Sequence, residues 1–157
     1  MAQALPLKES HRDRQAWMSV LAKAPAGEVV AAWESLDRRP GYTALRAPEF
    51  GLVLVRGRMG GAGDAFNLGE MSVTRAAVRL ESGETGVAYV AGRDRRHAEI
   101  AAAVDAMMQS AELRPAVEGA IVRRLRLTQE QRRTTAARKA AATRVDFFTM
   151  VRDRGPA

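Results

Sequence analysis

The sequence predicts an α+β domain: an antiparallel sheet of about four strands, flanked by N-terminal and C-terminal helices and ending in an extended helical arm. Three observations predict it. Residues 9–24 place Trp17, Met18, Leu21 and Ala24 at helical spacing, with Arg12, Asp13, Arg14 and Lys23 off that stripe. Residues 70–80 alternate, with Ser72, Thr74, Ala76, Val78 and Leu80 on one face and Met71, Val73, Arg75, Ala77 and Arg79 on the other. From Glu130 to Arg144 the chain has alanines and basic residues but no large apolar side chain, which describes a solvated helix.

The elements follow in order. Pro25 and Gly27 end the first helix, and a second carries Val29, Val30, Trp33 and Leu36 before Pro40-Gly41. One tryptophan on each suggests a helical hairpin. Tyr42 to Ala47 reads as a strand, Pro48-Glu49 as a break, and Gly51 to Arg58 as a second strand. After the long strand at 70–80, Ser82-Gly83 marks a tight turn and Thr85 to Ala91 the returning strand, so the sheet is a meander. Asp94 is a good N-cap for a helix with Ala101, Val104, Met107 and Met108 on its apolar face. Pro115 opens another helical stretch, and Thr128-Gln129-Glu130-Gln131 fits a capping box for a last helix to about Ala142. Residues 1–125 are expected to form the core domain and 126–157 a basic helix with an apolar arm for partner docking.

The 157 residues are 46% hydrophobic but only 5% aromatic, so the core is built mainly from Ala, Val, Leu and Met. Cysteine is absent, which excludes disulfides and thiol chemistry. With no apolar run of signal or membrane-spanning length, the chain is expected to be soluble and cytoplasmic. The net charge of +7 lies in residues 123–144, where eight basic groups face one acid. The remainder is balanced.

Two anion sites suggest themselves. In Arg56-Gly57-Arg58-Met59-Gly60-Gly61-Ala62-Gly63, the amides of Gly60 and Gly61 with Arg58, Arg75 and Arg79 fit a phosphate nest; the same glycines also fit a plain hairpin connection. The loop lacks the Lys-Ser/Thr of a P-loop, and a strand rather than a helix follows it. At Gly92-Arg93-Asp94-Arg95-Arg96-His97 a strand passes into a helix N-terminus, making Arg93 and His97 candidates for an anion. The alternative there is a capped, solvated first turn. No metal site is expected from two histidines and scattered carboxylates, and no catalytic constellation stands out. The basic helix suits a docking arm ending in Val145-Asp146-Phe147-Phe148 better than a nucleic-acid reader, because the aromatics lie beyond the charge rather than among it.

Several segments together resemble the PhnG family, the G subunits of the bacterial carbon–phosphorus lyase system. They are Arg14 to Ala22, Glu49 to Val53, Arg58 to Gly63, Phe66 to Leu80, Gly92 to Glu99 and Arg144 to Arg152, in order over nearly the whole chain. The resemblance implies a cytoplasmic subunit of a multi-protein transferase acting in phosphonate metabolism, with the I, H and J subunits as partners and the L protein as a transient one. It implies an alkylphosphonate transferred to ribose C1 of ATP with displacement of adenine. ATP is then a substrate of the complex, and no cofactor is expected on this chain. The iron–sulfur cluster of the later cleavage step belongs to the J subunit, and the nucleosidase chemistry to the I subunit. The family supplies no catalytic residue to carry over. Arg144, Asp146, Phe147, Phe148 and Met150 are the partner-docking candidates. The alternative is a small nucleic-acid-binding module using the 123–144 helix, without membrane involvement in either case.

Overall fold

The computed structural model describes residues 9–143. Helices α1 (Glu9–Lys23) and α2 (Ala26–Glu34) lead into strands β1 (Tyr42–Arg58), β2 (Ala65–Leu80) and β3 (Thr85–Ala91). Helix α3 (Arg95–Gln109) follows. The C-terminal helical run starts with the short α4 (Arg114–Val117), widens into a π-helical stretch over Glu118–Arg123, and continues as α5 (Arg124–Ala142). No helix among these residues is long and apolar enough to cross a membrane.

The sheet has three antiparallel strands in the order β1-β2-β3. It has one strand fewer than the sequence suggests, because Pro48-Glu49 does not divide β1. The pairing with β2 steps from Ala44 to Arg46 and from Arg46 to Glu49, so Pro48 falls in an irregularity of an edge strand. That is where a residue without an N–H does least harm. The expected alternation in β2 holds: Thr74, Ala76, Val78 and Leu80 are buried and Arg75 and Arg79 exposed. Gly83, at a φ of 107°, makes the β2–β3 turn, with its N–H donating to the Leu80 carbonyl.

Helix α3 packs across β2 and β3 and is itself covered by α1, α2 and α4. Every residue from Ile100 to Met108 is buried, so this helix is apolar nearly all round, and its alanines let the neighbouring elements come close. Leu21, Val29, Val78, Leu80, Ile100, Val104, Met107, Val117 and Ile121 form the centre of the core. Helix α1 packs mainly on α3 and β3, and α2 on α3 and the π-helical stretch, rather than on each other, which replaces the expected hairpin. Trp17 turns to α3, while Trp33 meets Tyr42 edge to face at 6.4 Å.

Thr128 does not cap a new helix. It lies inside α5, and its hydroxyl donates to the Arg124 carbonyl at 3.1 Å. A mid-helix threonine makes this local bond without starting anything. Helix α5 is held to the body by Gln129, whose Nε2 donates to the Val20 carbonyl at 2.7 Å, and by an ion pair of Arg132 with Glu28. From Glu130 to Thr143 every residue is exposed.

Candidate functional site

Strand alternation sets the first group of cations. Arg75 and Arg79 share the sheet face turned away from α3. The Arg75 Nε donates to Glu49 Oε1 at 2.9 Å. The Tyr89 hydroxyl first, and Glu49 second, hold its pKa above the ordinary arginine value. Among the described residues Arg79 has no carboxylate partner. The sequence spacing was right that these two point the same way.

The glycine loop is elsewhere. β1 and β2 run on together beyond β3, whose pairing with β2 ends at Val73. Ten residues of strand separate Arg75 from Ala65, a distance of about 33 Å. Gly60 and Gly61, with φ of 60° and 79°, sit in the turn Met59–Gly61 at the tip. There the Ala62 and Gly63 amides both donate to the Met59 carbonyl, and Arg58 Nη1 donates to the Gly63 carbonyl at 3.1 Å. The loop thus closes on itself as a hairpin turn, and Arg58 is engaged locally. Arg75 and Arg79 do not converge with it.

The third group is at the start of α3. Asp94 accepts from the His97 N–H at 2.8 Å, as expected of an N-cap. His97 itself requires a correction. Its ring is buried, and Nε2 donates to the Leu21 carbonyl at 2.8 Å. A carbonyl only accepts, so that nitrogen carries a proton. Leu21 lies in the last turn of α1, where carbonyls lack a helical partner. His97 therefore fastens α1 to α3 and does not face an anion. Arg93 remains exposed. It and Arg95 lie over the Phe50 ring, at 5.3 and 5.8 Å, with no carboxylate partner among the described residues.

Helix α5, about 28 Å long, presents further positive charge, with Arg133, Arg138 and Lys139 exposed on it. The docking candidates Arg144, Asp146, Phe147, Phe148 and Met150 lie outside the described residues. The described residues contain no cluster of three potential metal ligands.

One buried charge escaped the sequence reading. Asp105, on α3, is wholly buried, and its carboxylate accepts from Arg14 twice, at 3.1 and 2.7 Å, from Trp17 Nε1 at 2.9 Å and from the Val87 N–H at 2.9 Å. Every acceptor direction is filled, so this is a tie between α1, α3 and β3 rather than a free acid. An acid set in the apolar run Ala103-Val104-Asp105-Ala106-Met107 was the signal for it.

The family model described as "Phosphonate metabolism protein PhnG" matches residues 12–153. The chain is also 49% identical, over 140 residues that make up 88% of each chain, to the alpha-D-ribose 1-methylphosphonate 5-triphosphate synthase subunit PhnG of Rhizobium meliloti (strain 1021). By the extent of these matches the chain belongs to the PhnG family.

Proposed function

We propose that this chain is the G subunit of a complex that transfers an alkylphosphonate to ribose C1 of ATP. The phosphonate displaces adenine and gives a ribose 1-phosphonate 5-triphosphate. Its partners in that step are the I and H subunits, with the J subunit in the assembled complex and the L protein joining transiently. The observation that carries this reading is the match along 88% of both chains to a synthase subunit. The dispersed cations suit a supporting role, since Arg79 and Arg93 are exposed and unpaired among the described residues. Guanidinium groups of that kind are adapted to phosphate oxygens. We assign the chemistry to the partners and give this chain the tasks of assembly and of contributing positive charge.

Reconstitution tests it. ATP and methylphosphonate are incubated with the complete set of subunits, with the set lacking this chain, and with this chain alone, and free adenine is measured. Adenine release is expected only from the complete set, with at least a tenfold drop on omission. Full release by this chain alone, or by the set lacking it, would overturn the proposal.

The charges are tested separately. Arg58→Ala, Arg75→Ala and Arg79→Ala should each change folding stability by no more than about 0.5 kcal/mol, as expected of exposed positions. If Arg75 and Arg79, which share a sheet face, serve the triphosphate, the double variant should assemble normally and release adenine about tenfold more slowly, the loss expected for a charge-assisted hydrogen bond. Loss of assembly instead would assign them to subunit contacts. Unchanged assembly and release would remove them from the site.

A further inference from the structure

Among the described residues, the part of the β1–β2 hairpin that extends past β3 carries most of the exposed large apolar side chains. We propose that this ribbon, residues 51–73, is an insertion arm clasped on both faces by an apolar cleft of another subunit of the synthase. The inference rests on the assignment of the chain as a subunit and goes beyond it by naming the surface and what covers it.

Register shows that both faces are involved. Leu52 pairs with Ser72 and Leu54 with Glu70, which places these leucines on the same face as the buried Thr74. Val53 pairs with Met71 on the opposite face. Leu52 and Leu54 are 64% and 62% exposed, and Val53 and Met71 less so, at 38% and 40%. Met59, Phe66 and Leu68 extend the patch toward the tip. Exposed apolar side chains gathered in this way on one protruding element mark an interaction surface.

Three features choose the occupant. Arg56 and Arg58 are balanced by Asp64 and Glu70, so the ribbon is neutral and suits neither nucleic acid nor a strongly charged surface. A second copy packed ribbon to ribbon covers one face of each hairpin and leaves the other wet. A cleft with two apolar walls covers both. A two-stranded hairpin is also marginal by itself in water, so it gains order from being enclosed.

The test uses the full chain co-expressed with the other synthase subunits, one of which carries an affinity tag. Two paired variants probe the two faces: Leu52→Asp with Leu54→Asp, and Val53→Asp with Met71→Asp. Leu45→Asp, at an exposed position on β1 outside the ribbon, is the control. Incorporation is measured by native mass spectrometry of the purified complex, and the folding of each free variant by circular dichroism. Both paired variants should fold with normal melting behaviour and be incorporated at least tenfold less, while the control is incorporated normally. Normal incorporation of either paired variant overturns the two-sided clasp. If the free chain sediments as a dimer that one paired variant dissociates without loss of incorporation, the ribbon belongs to a second copy and the proposal is overturned. Failure of the unmodified chain to incorporate at all would instead reject the subunit assignment, and the clasp with it.

Discussion

Replacing Asp105 with alanine is expected to lower the unfolding free energy by about 3–5 kcal/mol, the cost of breaking a buried ion pair from one side. The carboxylate is inaccessible to solvent and accepts four hydrogen bonds, three from α1 and one from β3. Alanine leaves the Trp17 indole N–H and the Val87 amide without acceptors in a site that water does not reach, and each such orphan costs about 1–3 kcal/mol. Arg14 is one-third exposed and recovers part of its hydration, so its share of the loss is smaller. Val87 matters for a second reason. β3 is an edge strand, and Asp105 occupies its outward amide while Gln109 Nε2 donates to the neighbouring Thr85 carbonyl at 2.8 Å. Together these side chains blunt an edge that would otherwise pair with a foreign strand. Asparagine is not expected to rescue, because its amide nitrogen would point a donor at donors. Urea titration of Asp105→Ala and Asp105→Asn checks this. A domain of this size has about 5–15 kcal/mol in total, so the alanine variant should be visibly less stable at 37 °C. A loss below about 1 kcal/mol would show that the tie is not structural.

The expectations that held were those fixed by local chemistry. Strict alternation from Ser72 to Leu80 located one face of the sheet, the Asp94 cap located the start of α3, and Ser82-Gly83 located a turn. The expectations that failed depended on what the segment meets in three dimensions. Pro48 looks like a strand break until β1 proves to be an edge with an irregular register. Thr128 and the residues after it carry the letters of a capping box, but helix already precedes them from Arg114. The anion candidates show the same division. That Arg75 and Arg79 share a face follows from the period of a strand. That the Gly60-Gly61 turn lies far from them follows only from how long β1 and β2 stay paired. His97 looked available because a helix N-terminus usually faces solvent, whereas this one abuts the end of α1. Asp105 could have been suspected from its apolar neighbours, but its partners Arg14 and Trp17 lie about ninety residues away in the chain.

Gly86→Ala should be at least as damaging as the loss of Asp105, for a reason that involves no polar group. Gly86 is buried in β3 under α3, where a Cβ would overlap the Ala102 carbonyl oxygen and stand 2.5 Å from the Ala106 nitrogen and 2.9 Å from its Cβ. Two of those three neighbours are helix backbone, which cannot rotate aside. The methyl group can be accommodated only by lifting α3 from the sheet, and α3 is the element on which α1, α2 and α4 all pack. Overpacking of this kind costs about 1–3 kcal/mol where side chains can yield, and more where backbone must move. An expected loss of about 3–5 kcal/mol corresponds to a fall of roughly 10–15 °C in the thermal midpoint. The second substitution Ala106→Gly removes the Cβ contact but leaves both backbone contacts, so the double variant should recover only a minor part of the loss. Gly27→Ala provides the comparison, since a Cβ there meets nothing within 4 Å and its helix gains slightly from alanine. Thermal melts of the three variants decide the point. Full rescue by Ala106→Gly would show that side-chain contact, not backbone approach, sets the spacing between α3 and the sheet. No rescue fixes that spacing in the backbone and explains why this strand position has no room for any side chain.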